Sequence, residues 1–444
     1  MKHTRLLLAI AIPIILLSFF LTTLQTKASP SATFTVNSTV DAVDVNPGDG
    51  VCETAVANEC TLRAAVMETN SLVGADQINL PRETYTRTIG GIGEDASAGD
   101  LNITEDLRII GESSTNTIIN GNALDRIFIV SNGAELVLEN IAIYNGVSPG
   151  GGGGIFIEEG TNVTILSSRI ISNSAGSGGG IASRGLLTIT NSLISNNISD
   201  GSGGGLENLS PLLMISNSTI SGNIGSRGAG IFTTHDGIVE IVNSTLSHNF
   251  SDGEGGAITN LGPTMSLTNV TISNNHVDFR GGAIDNHSTL TATNSTIVSN
   301  TASLSIGGIY NNIINNGVIY LQNTLVAFNS NGNCGGNSDD IISLGYNLED
   351  ANLCNLNAIG DIVNQNPLID SLKNYGGNTL SHTLFPESPA IDAANPNVCP
   401  PNDQRYFSRP FDGDNNGTSI CDIGAVEYGS SPMHYVYLPI IVKP

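Results

Sequence analysis

The chain has 444 residues, with 16 basic and 40 acidic side chains, so its formal net charge is −24. A protein this acidic repels nucleic acids, anionic lipid surfaces and polyanionic glycans, which argues against DNA-, RNA- and heparin-binding functions. Charged residues make up only 13% of the chain, against about 25% in typical globular domains. We therefore expect a fold whose surface carries few charges.

The first 28 residues have the three-part form of a secretory signal: a basic start, an apolar run and a short polar end before Ser29. This pattern predicts a signal peptide over residues 1–28 and an exported protein, located extracellularly or on the cell surface. The apolar run is long for a signal peptide, so an uncleaved membrane anchor is the alternative. No later stretch of the sequence is long and apolar enough to span a bilayer.

Residues 33–100 have the composition of a terminal cap followed by first strands. The segment that begins at Cys60 places apolar residues at helical spacing, which predicts a helix with one apolar face. Residues 60–65 read CTLRAA, and with the preceding acidic loop they resemble the bacterial CSLREA domain, named after Cys-Ser-Leu-Arg-Glu-Ala. Ala64 stands where that family has glutamate, so no role of that carboxylate carries over.

Residues 101–330 are predicted to form a repeat array, in which an apolar residue is followed three places later by asparagine. Consecutive copies of the asparagine are 24, 26, 26, 26, 25 and 29 residues apart. A repeat of this length is shorter than a propeller blade, which needs about 40 residues, and it lacks the regular leucines of leucine-rich repeats. The repeated asparagines are Asn173, Asn197, Asn223, Asn249, Asn275, Asn300 and Asn329.

The segments between the glycine runs are short and rich in Ile, Thr, Val and Ser, which is typical of strands separated by bends. We therefore predict an all-β solenoid, a single-stranded parallel β-helix. Equivalent residues of neighbouring coils would then lie about 4.8 Å apart. Each asparagine could bond to its copy on the next coil, and isoleucines such as Ile220 would fill the interior.

Residues 331–428 contain the segments GNCGG, SLGYNLED, NPLIDSLKNYGGNTLSHTLFPESPAIDAA, DQRYFSRPFDGDNNG and CDIGAVE in this order. This series resembles the choice-of-anchor Q domain, with departures at Ala394 and Tyr406, where glycine is usual. The resemblance implies a right-handed parallel β-helix between an N-terminal helical cap and a loop-rich C-terminal cap. Residues 429–444 are predicted to be a C-terminal tail strand.

The six cysteines fall into three local pairs, and export permits disulfides. A metal site is the alternative, but neither CxxC spacing nor a nearby histidine supports it. The predicted bridges are Cys52–Cys60, Cys334–Cys354 and Cys399–Cys421.

Calcium is the only cofactor that the sequence suggests. Four residues match positions 1, 3, 5 and 7 of a DxDxNG calcium loop, but Ile423 stands at position 12 in place of glutamate. Asp422 or Glu427 would have to supply the missing oxygen, and a metal-free Asx-rich turn is the alternative. The matching residues are Asp412, Asp414, Asn416 and Thr418, and a weaker N-terminal candidate consists of Asp44, Asp49 and Glu53.

An enzyme hypothesis rests on Asp252 and Asp278, which each follow a repeated asparagine by three residues on adjacent coils. The strand spacing would place them about 5 Å apart, which suits a glycosidase pair. Arg280 would pair with Glu254 in the same loops. The alternative is a solvated turn with one salt bridge.

We interpret the sequence neighbours Asp285 and His287 as a chance pair, because no nucleophile register is visible beside them. The leading hypothesis is an exported, monomeric adhesion, binding or structural module to which no chemistry is assigned. Its partner would be an extracellular polysaccharide or another cell-surface component. The rival is a carbohydrate-active β-helix enzyme, a polysaccharide lyase or glycoside hydrolase, that uses Asp252, Asp278 and Arg280.

Overall fold

The computed structural model describes residues 31–431 except 92, 94, 235 and 313–316. The predicted signal peptide and residues 432–444 of the predicted tail strand lie outside the described residues. Within the described part, strands of two to five residues form four parallel sheets, and each complete coil of the chain adds one strand to every sheet. The predicted parallel β-helix is therefore confirmed.

Sheets 1 and 2 have twelve strands each. Sheet 1 consists of Thr33–Thr35, Asp76–Leu80, Leu107–Gly111, Glu135–Glu139, Asn162–Leu166, Leu186–Thr190, Leu212–Ser216, Ile238–Val242, Thr264–Thr268, Thr289–Thr293, Val318–Gln322 and Ile341–Ser343. Sheet 2 consists of Thr84–Thr86, Ile118–Asn120, Ala142–Tyr144, Arg169–Ile171, Leu193–Ser195, Thr219–Ser221, Thr245–Ser247, Thr271–Ser273, Thr296–Val298, Leu325–Ala327, Leu348–Glu349 and Ile362–Val363.

Sheet 3 has seven strands and sheet 4 has ten. Sheet 3 consists of Val147–Gly151, Ser174–Ser177, Ile198–Ser199, Ile224–Arg227, Phe250–Glu254, His276–Val277 and Thr301–Ala302. Sheet 4 consists of Leu101–Ile103, Phe128–Val130, Ile155–Ile157, Ile181–Ser183, Leu206–Asn208, Ile231–Thr233, Ile258–Asn260, Ile284–Asn286, Ile309–Asn311 and Cys334–Gly336. Two 3₁₀ turns, Ser338–Asp340 and Pro396–Val398, follow the array.

The apolar residues of the repeat stack in register inside the rod. Ile220 lies opposite Ile194 on one neighbouring strand and opposite Leu246 on the other. All three side chains have no solvent-exposed surface and belong to one continuous core. Because strand side chains alternate between the two faces, this register holds the apolar set inside and the intervening polar set outside.

The repeated asparagines form a buried ladder, as predicted. The Nδ2 of Asn197 donates to Oδ1 of Asn223 at 3.0 Å, and Asn223 makes the same bond to Asn249. The ladder begins at Asn173 and ends on Asn333. An unpaired buried amide costs about 1–3 kcal/mol, so these bonds allow a polar column to remain inside the rod.

The N-terminal cap contains the helix predicted from the sequence, α1 (Leu62–Ser71). The Thr61 side chain accepts a bond from the Ala64 amide and so caps the first turn. The apolar face of α1, including Ala65 and Val66, joins the core of the first coils. The helix therefore covers the open end of the solenoid, where unpaired strand edges would otherwise be exposed.

The C-terminal region does more than close the last coil, because it also runs back along the outer face of sheet 2. Gln404 accepts a bond from Thr271 Oγ1 at 2.6 Å, and the Ala425 amide donates to Thr296 Oγ1 at 3.0 Å. A second, smaller apolar core fills this contact. It consists of Val298, Leu325, Ala327 and Leu348 from the rod side and Leu384, Ala390, Ala394, Cys421 and Ile423 from the C-terminal region.

The three predicted disulfides are all present, and each staples a local loop as expected. Three disulfides are consistent with an oxidising compartment. The one α-helix among the described residues has ten residues. The described part of the chain contains no helix that is both long and apolar enough to span a membrane. The bridges are Cys52–Cys60, Cys334–Cys354 and Cys399–Cys421.

Candidate functional site

Sheet 3 presents a column of large side chains on its outer surface, which we call the apolar column. Ile198, Ile224, Phe250 and His276 lie opposite one another on four successive coils. Ile198 and Ile224 are 44% and 42% exposed. The rings of Phe250 and His276 stack with centroids 5.5 Å apart and planes 10° from parallel.

The strand pleat explains why these side chains face outward. The next residue on each strand, such as Ser251 or Val277, is fully buried, so its predecessor must lie on the opposite face. Each member of the apolar column directly follows a ladder asparagine in the sequence. This regular position is the signal from which the column could have been predicted, and it was missed because the apolar residues of the repeat were assigned to the interior.

A second column lies beside the apolar column, two residues further along the chain, with carboxylates on three of the four coils and Ser226 on the coil of Ile224. It contains Asp200, Asp252 and Asp278, and we call it the carboxylate column. The Asp278 amide donates to the Ser251 carbonyl at 2.9 Å, so the strand register continues to this position and sets Asp278 beside Asp252. Asp252 is exposed and Asp278 is partly exposed. The predicted neighbourhood of these two aspartates on adjacent coils is therefore confirmed.

Asp278 also contacts polar groups around the apolar column. Its Oδ1 lies 3.5 Å from Nε2 of His276 and accepts a 3.4 Å bond from Ser303 Oγ. On the other side of the imidazole ring, Nδ1 of His276 lies 2.7 Å from Thr301 Oγ1. These contacts fix the orientation of the His276 ring against Phe250.

Arg280 lies away from the two aspartates and turns towards sheet 4. Its Nη2 donates to Glu254 at 2.6 Å, which confirms the predicted pair, and its Nε lies 3.4 Å from Oδ1 of Asp285. The guanidinium carbon lies 4.7 Å from the centroid of the Tyr310 ring, within the range of a cation–π contact. The contacts of Arg280 within the described residues therefore do not assemble the predicted set of Asp252, Asp278 and Arg280.

Asp285 and His287 form a hydrogen-bonded pair, with 2.9 Å between His287 Nε2 and Asp285 Oδ2. The two side chains meet because residues two apart on a strand lie on the same face. Ligand atoms of Glu254, Asp285 and His287 lie within 4.8 Å of one another. The Asp285 side chain is fully buried and Arg280 contacts both carboxylates, so this cluster already carries its own cation.

The predicted calcium loop is folded around its own backbone. Oxygens of Asp412 accept bonds from the amides of Asn416 and Gly417, and Asp414 accepts from Asn416 as well. The Thr418 amide donates to Asn416 Oδ1 at 2.9 Å. These are Asx-type bonds, which an empty turn and a calcium loop share.

Asp392 is the third carboxylate of this loop, which the sequence did not reveal. Its Oδ2 accepts bonds from the amides of Gly413 and Asp414, and ligand atoms of Asp392, Asp412 and Asp414 lie within 4.8 Å of one another. Asp392 lies 20 residues before Asp412 in the chain. Only the tertiary fold brings it to the loop.

The expectation that Asp422 or Glu427 completes the loop is wrong. Both side chains are fully buried below it, where Glu427 accepts a bond from the Asp422 amide and lies 3.2 Å from Nε of Arg409. Burial raises the pKa of both carboxyl groups, and their mutual repulsion adds to the rise for Asp422. They form a structural network that supports the C-terminal cap.

The N-terminal acidic residues do not converge on a shared point. Asp44 accepts bonds from the amides of Asn46 and Glu53, whereas Asp49 accepts from the Val51 amide. Two groups of potential metal ligands occur among the described residues, and neither contains Asp44, Asp49 or Glu53. Their bonds shape the loop in front of α1.

Comparison with known proteins gives no functional assignment, so the geometry of the candidate sites is the basis for the proposed function. No protein-family model matches the chain, and no curated protein is significantly similar to it.

Proposed function

We propose that the protein is an exported polysaccharide-binding module and that its ligand lies lengthwise on sheet 3. The observation that carries this proposal is the apolar column, continuous over four coils, beside the carboxylates Asp252 and Asp278 on two adjacent coils. Two exposed isoleucines beside a partly exposed phenylalanine are costly unless something covers them.

The two columns match the two surfaces of a sugar chain. The C–H faces of sugar rings pack against apolar and aromatic side chains, whereas the hydroxyl groups donate to carboxylates in charge-assisted bonds. Phe250 and Ile224 supply the first kind of contact, and Asp252 and Asp278 supply the second. Because the coils repeat about every 4.8 Å, an extended linear polymer can repeat the same contacts along the rod.

Adhesion fits this geometry better than hydrolysis. The carboxylates of a glycosidase flank the scissile bond, so that one protonates the leaving oxygen while the other attacks or activates water from the opposite face. Asp252 and Asp278 instead stand side by side on neighbouring strands and project from the same face of sheet 3. Arg280, the third residue of the enzyme hypothesis, contacts Glu254 and Asp285 instead.

Export is part of this proposal. The signal-like residues 1–28 support it, and the three disulfides fit the oxidising environment outside the cytoplasm. The resemblance of residues 33–100 and 331–428 to the CSLREA and choice-of-anchor Q domains also supports a bacterial surface or extracellular location.

The test is a pull-down and affinity assay with neutral polysaccharides, namely cellulose, chitin, xylan and β-1,3-glucan. We expect the protein to bind at least one of them, and both Phe250→Ala and Ile224→Thr to weaken that binding about tenfold or more, equivalent to about 1.4 kcal/mol. Ile238→Thr is the matched control, because Ile238 is an exposed isoleucine on sheet 1, at 36% exposure.

Two results would contradict the proposal. One is equal affinity in Ile224→Thr and Ile238→Thr, which would separate binding from the apolar column. The other is release of soluble sugars that disappears in Asp252→Asn, which would establish the rival enzyme.

A further inference from the structure

A cavity of about 320 Å³ lies between the rod and the C-terminal region. Arg169 and Asn217 line it from the rod, and Asn374 and Asn378 line it from the C-terminal side. Asn378 Nδ2 donates to Asn191 Oδ1 at 3.2 Å, which bridges the two walls. The cavity lies where residues 374–380 of the C-terminal region approach the turns that carry Asn191 and Asn217.

Two polar atoms in the cavity wall lack partners. Arg169 Nε, a donor, and Asn217 Oδ1, an acceptor, are both buried and form no hydrogen bond within the described part of the chain. A buried polar group without a partner costs about 1–3 kcal/mol. A ligand that offers an acceptor to the arginine and a donor to the amide would recover this cost.

Arg169 also carries the charge of the cavity. It is the one charged residue among the lining residues, and no carboxylate of the described residues forms an ion pair with it within 4.0 Å. Guanidinium groups favour planar oxyanions such as carboxylates.

The remaining lining is rich in hydroxyl and amide groups, including Ser167, Thr219 and Asn374. Such groups bind sugar hydroxyls as both donors and acceptors. The volume is at the lower end of the range of about 300–1,000 Å³ for ligand sites, so it suits one ring. We propose that this cavity binds a single sugar ring that bears a carboxylate, with the carboxylate on Arg169 and a hydroxyl on Asn217.

This site is separate from the polysaccharide surface proposed on sheet 3. Its walls come from sheet 2 and the C-terminal region, and none of its lining residues belongs to sheet 3. The binding of one negatively charged sugar at this site does not conflict with the repulsion of dense polyanions by the acidic chain. A monosaccharide carries one charge, so the general repulsion is small, and it is screened beyond about 8 Å at physiological salt.

Isothermal titration calorimetry of the exported chain with sodium glucuronate, glucose and sodium acetate tests the proposal. We expect glucuronate to bind at least tenfold more tightly than glucose or acetate, because only glucuronate satisfies both the guanidinium and the amide. Arg169→Gln and Asn378→Ala should each weaken glucuronate binding at least tenfold. Arg82→Gln is the control, since Arg82 is an exposed arginine paired with Glu112 at 3.1 Å.

Phe250→Ala separates the two proposals, because it should leave glucuronate binding unchanged even where it abolishes polysaccharide binding. The cavity proposal is overturned if wild type does not bind glucuronate, if glucose binds equally well, or if Arg169→Gln binds like Arg82→Gln. Loss of glucuronate binding in Phe250→Ala would also overturn it, since the ligand would then lie on sheet 3.

Discussion

His382 of the C-terminal region lies with its Nε2 atom 2.9 Å from Oγ of Ser273 on sheet 2. Its Nδ1 lies 2.7 Å from the Asp370 carbonyl oxygen, which can only accept a hydrogen bond. Nδ1 therefore carries the proton, and Nε2 of the neutral ring accepts from the serine. Protonation of Nε2 would remove this acceptor at the contact between the C-terminal region and the rod.

The first prediction concerns the pH dependence of this contact. Burial lowers the pKa of His382, against the opposing influence of the Asp370 carbonyl and carboxylate. The unfolded chain therefore takes up the proton first, near pH 6.5, and the free energy of unfolding falls as the pH drops below that value. The slope is at most about 1.4 kcal/mol per pH unit for one proton.

Chemical denaturation of wild type and His382→Gln between about pH 5 and 7, a range that includes the unperturbed histidine value of about 6.5, measures this effect. The glutamine variant should show a flatter dependence, because it retains polar groups but does not titrate. The Asp370 carboxylate acts on the His382 ring and is paired with Lys373 at 3.3 Å, and the substitution does not alter either member of this pair. Parallel slopes in the two proteins would contradict the prediction.

The second prediction concerns the interior. Ile220→Asp should lower the stability by about 3–5 kcal/mol, because the new charge would be buried without a partner. Each coil stabilises its neighbours, so the damage should extend along the rod. Thermal unfolding followed by circular dichroism, with Ile238→Asp on the exposed face of sheet 1 as the control, measures the difference. Similar melting of the two variants would contradict the burial of Ile220.

The third prediction concerns the N-terminal cap. Arg63 is fully buried and donates to Asp41 at 2.6 Å and to the carbonyl oxygens of Ala96 and Gly99. Arg63→Met should cost about 3–5 kcal/mol, because it leaves Asp41 and two carbonyls without their donor. Limited proteolysis should then cut residues 33–100 first, whereas Arg82→Met, at an exposed pair, should cost no more than about 1 kcal/mol.

Calcium binding at the C-terminal loop stays a prediction, and Asp392 sharpens its test. At 10 mM calcium, roughly tenfold above a weak extracellular dissociation constant of about 1 mM, binding would stabilise the cap by about 1.4 kcal/mol. We expect wild type and Asp44→Ala to melt higher in calcium than in chelator. Asp414→Ala and Asp392→Asn should not respond. A response shared by all four proteins would exclude this loop, and no response in any would identify a metal-free turn.

The sequence alone determined the coil and its interior. A solenoid repeats one local structure, so residues such as Ile220 and Asn223 recur at the period of the coil and reveal which positions stack. The cysteine pairs followed for a similar reason, because each closes a loop of 8, 20 or 22 residues. Helix α1 was equally local, since its apolar spacing and its Thr61 cap lie within a short segment.

The tertiary structure decided which outer face is covered and which is open. Thr271 on sheet 2 and Ile224 on sheet 3 both occupy outward positions of the repeat, but the C-terminal region buries the first and leaves the second exposed. The approach of Asn378 to Asn191, which are 187 residues apart in the sequence, depends on the same return of the chain. These contacts join residues far apart in sequence without any repeated spacing, so no period in the sequence reports them. The physical packing of the C-terminal region against the rod therefore decides which outer faces of the solenoid stay open to solvent.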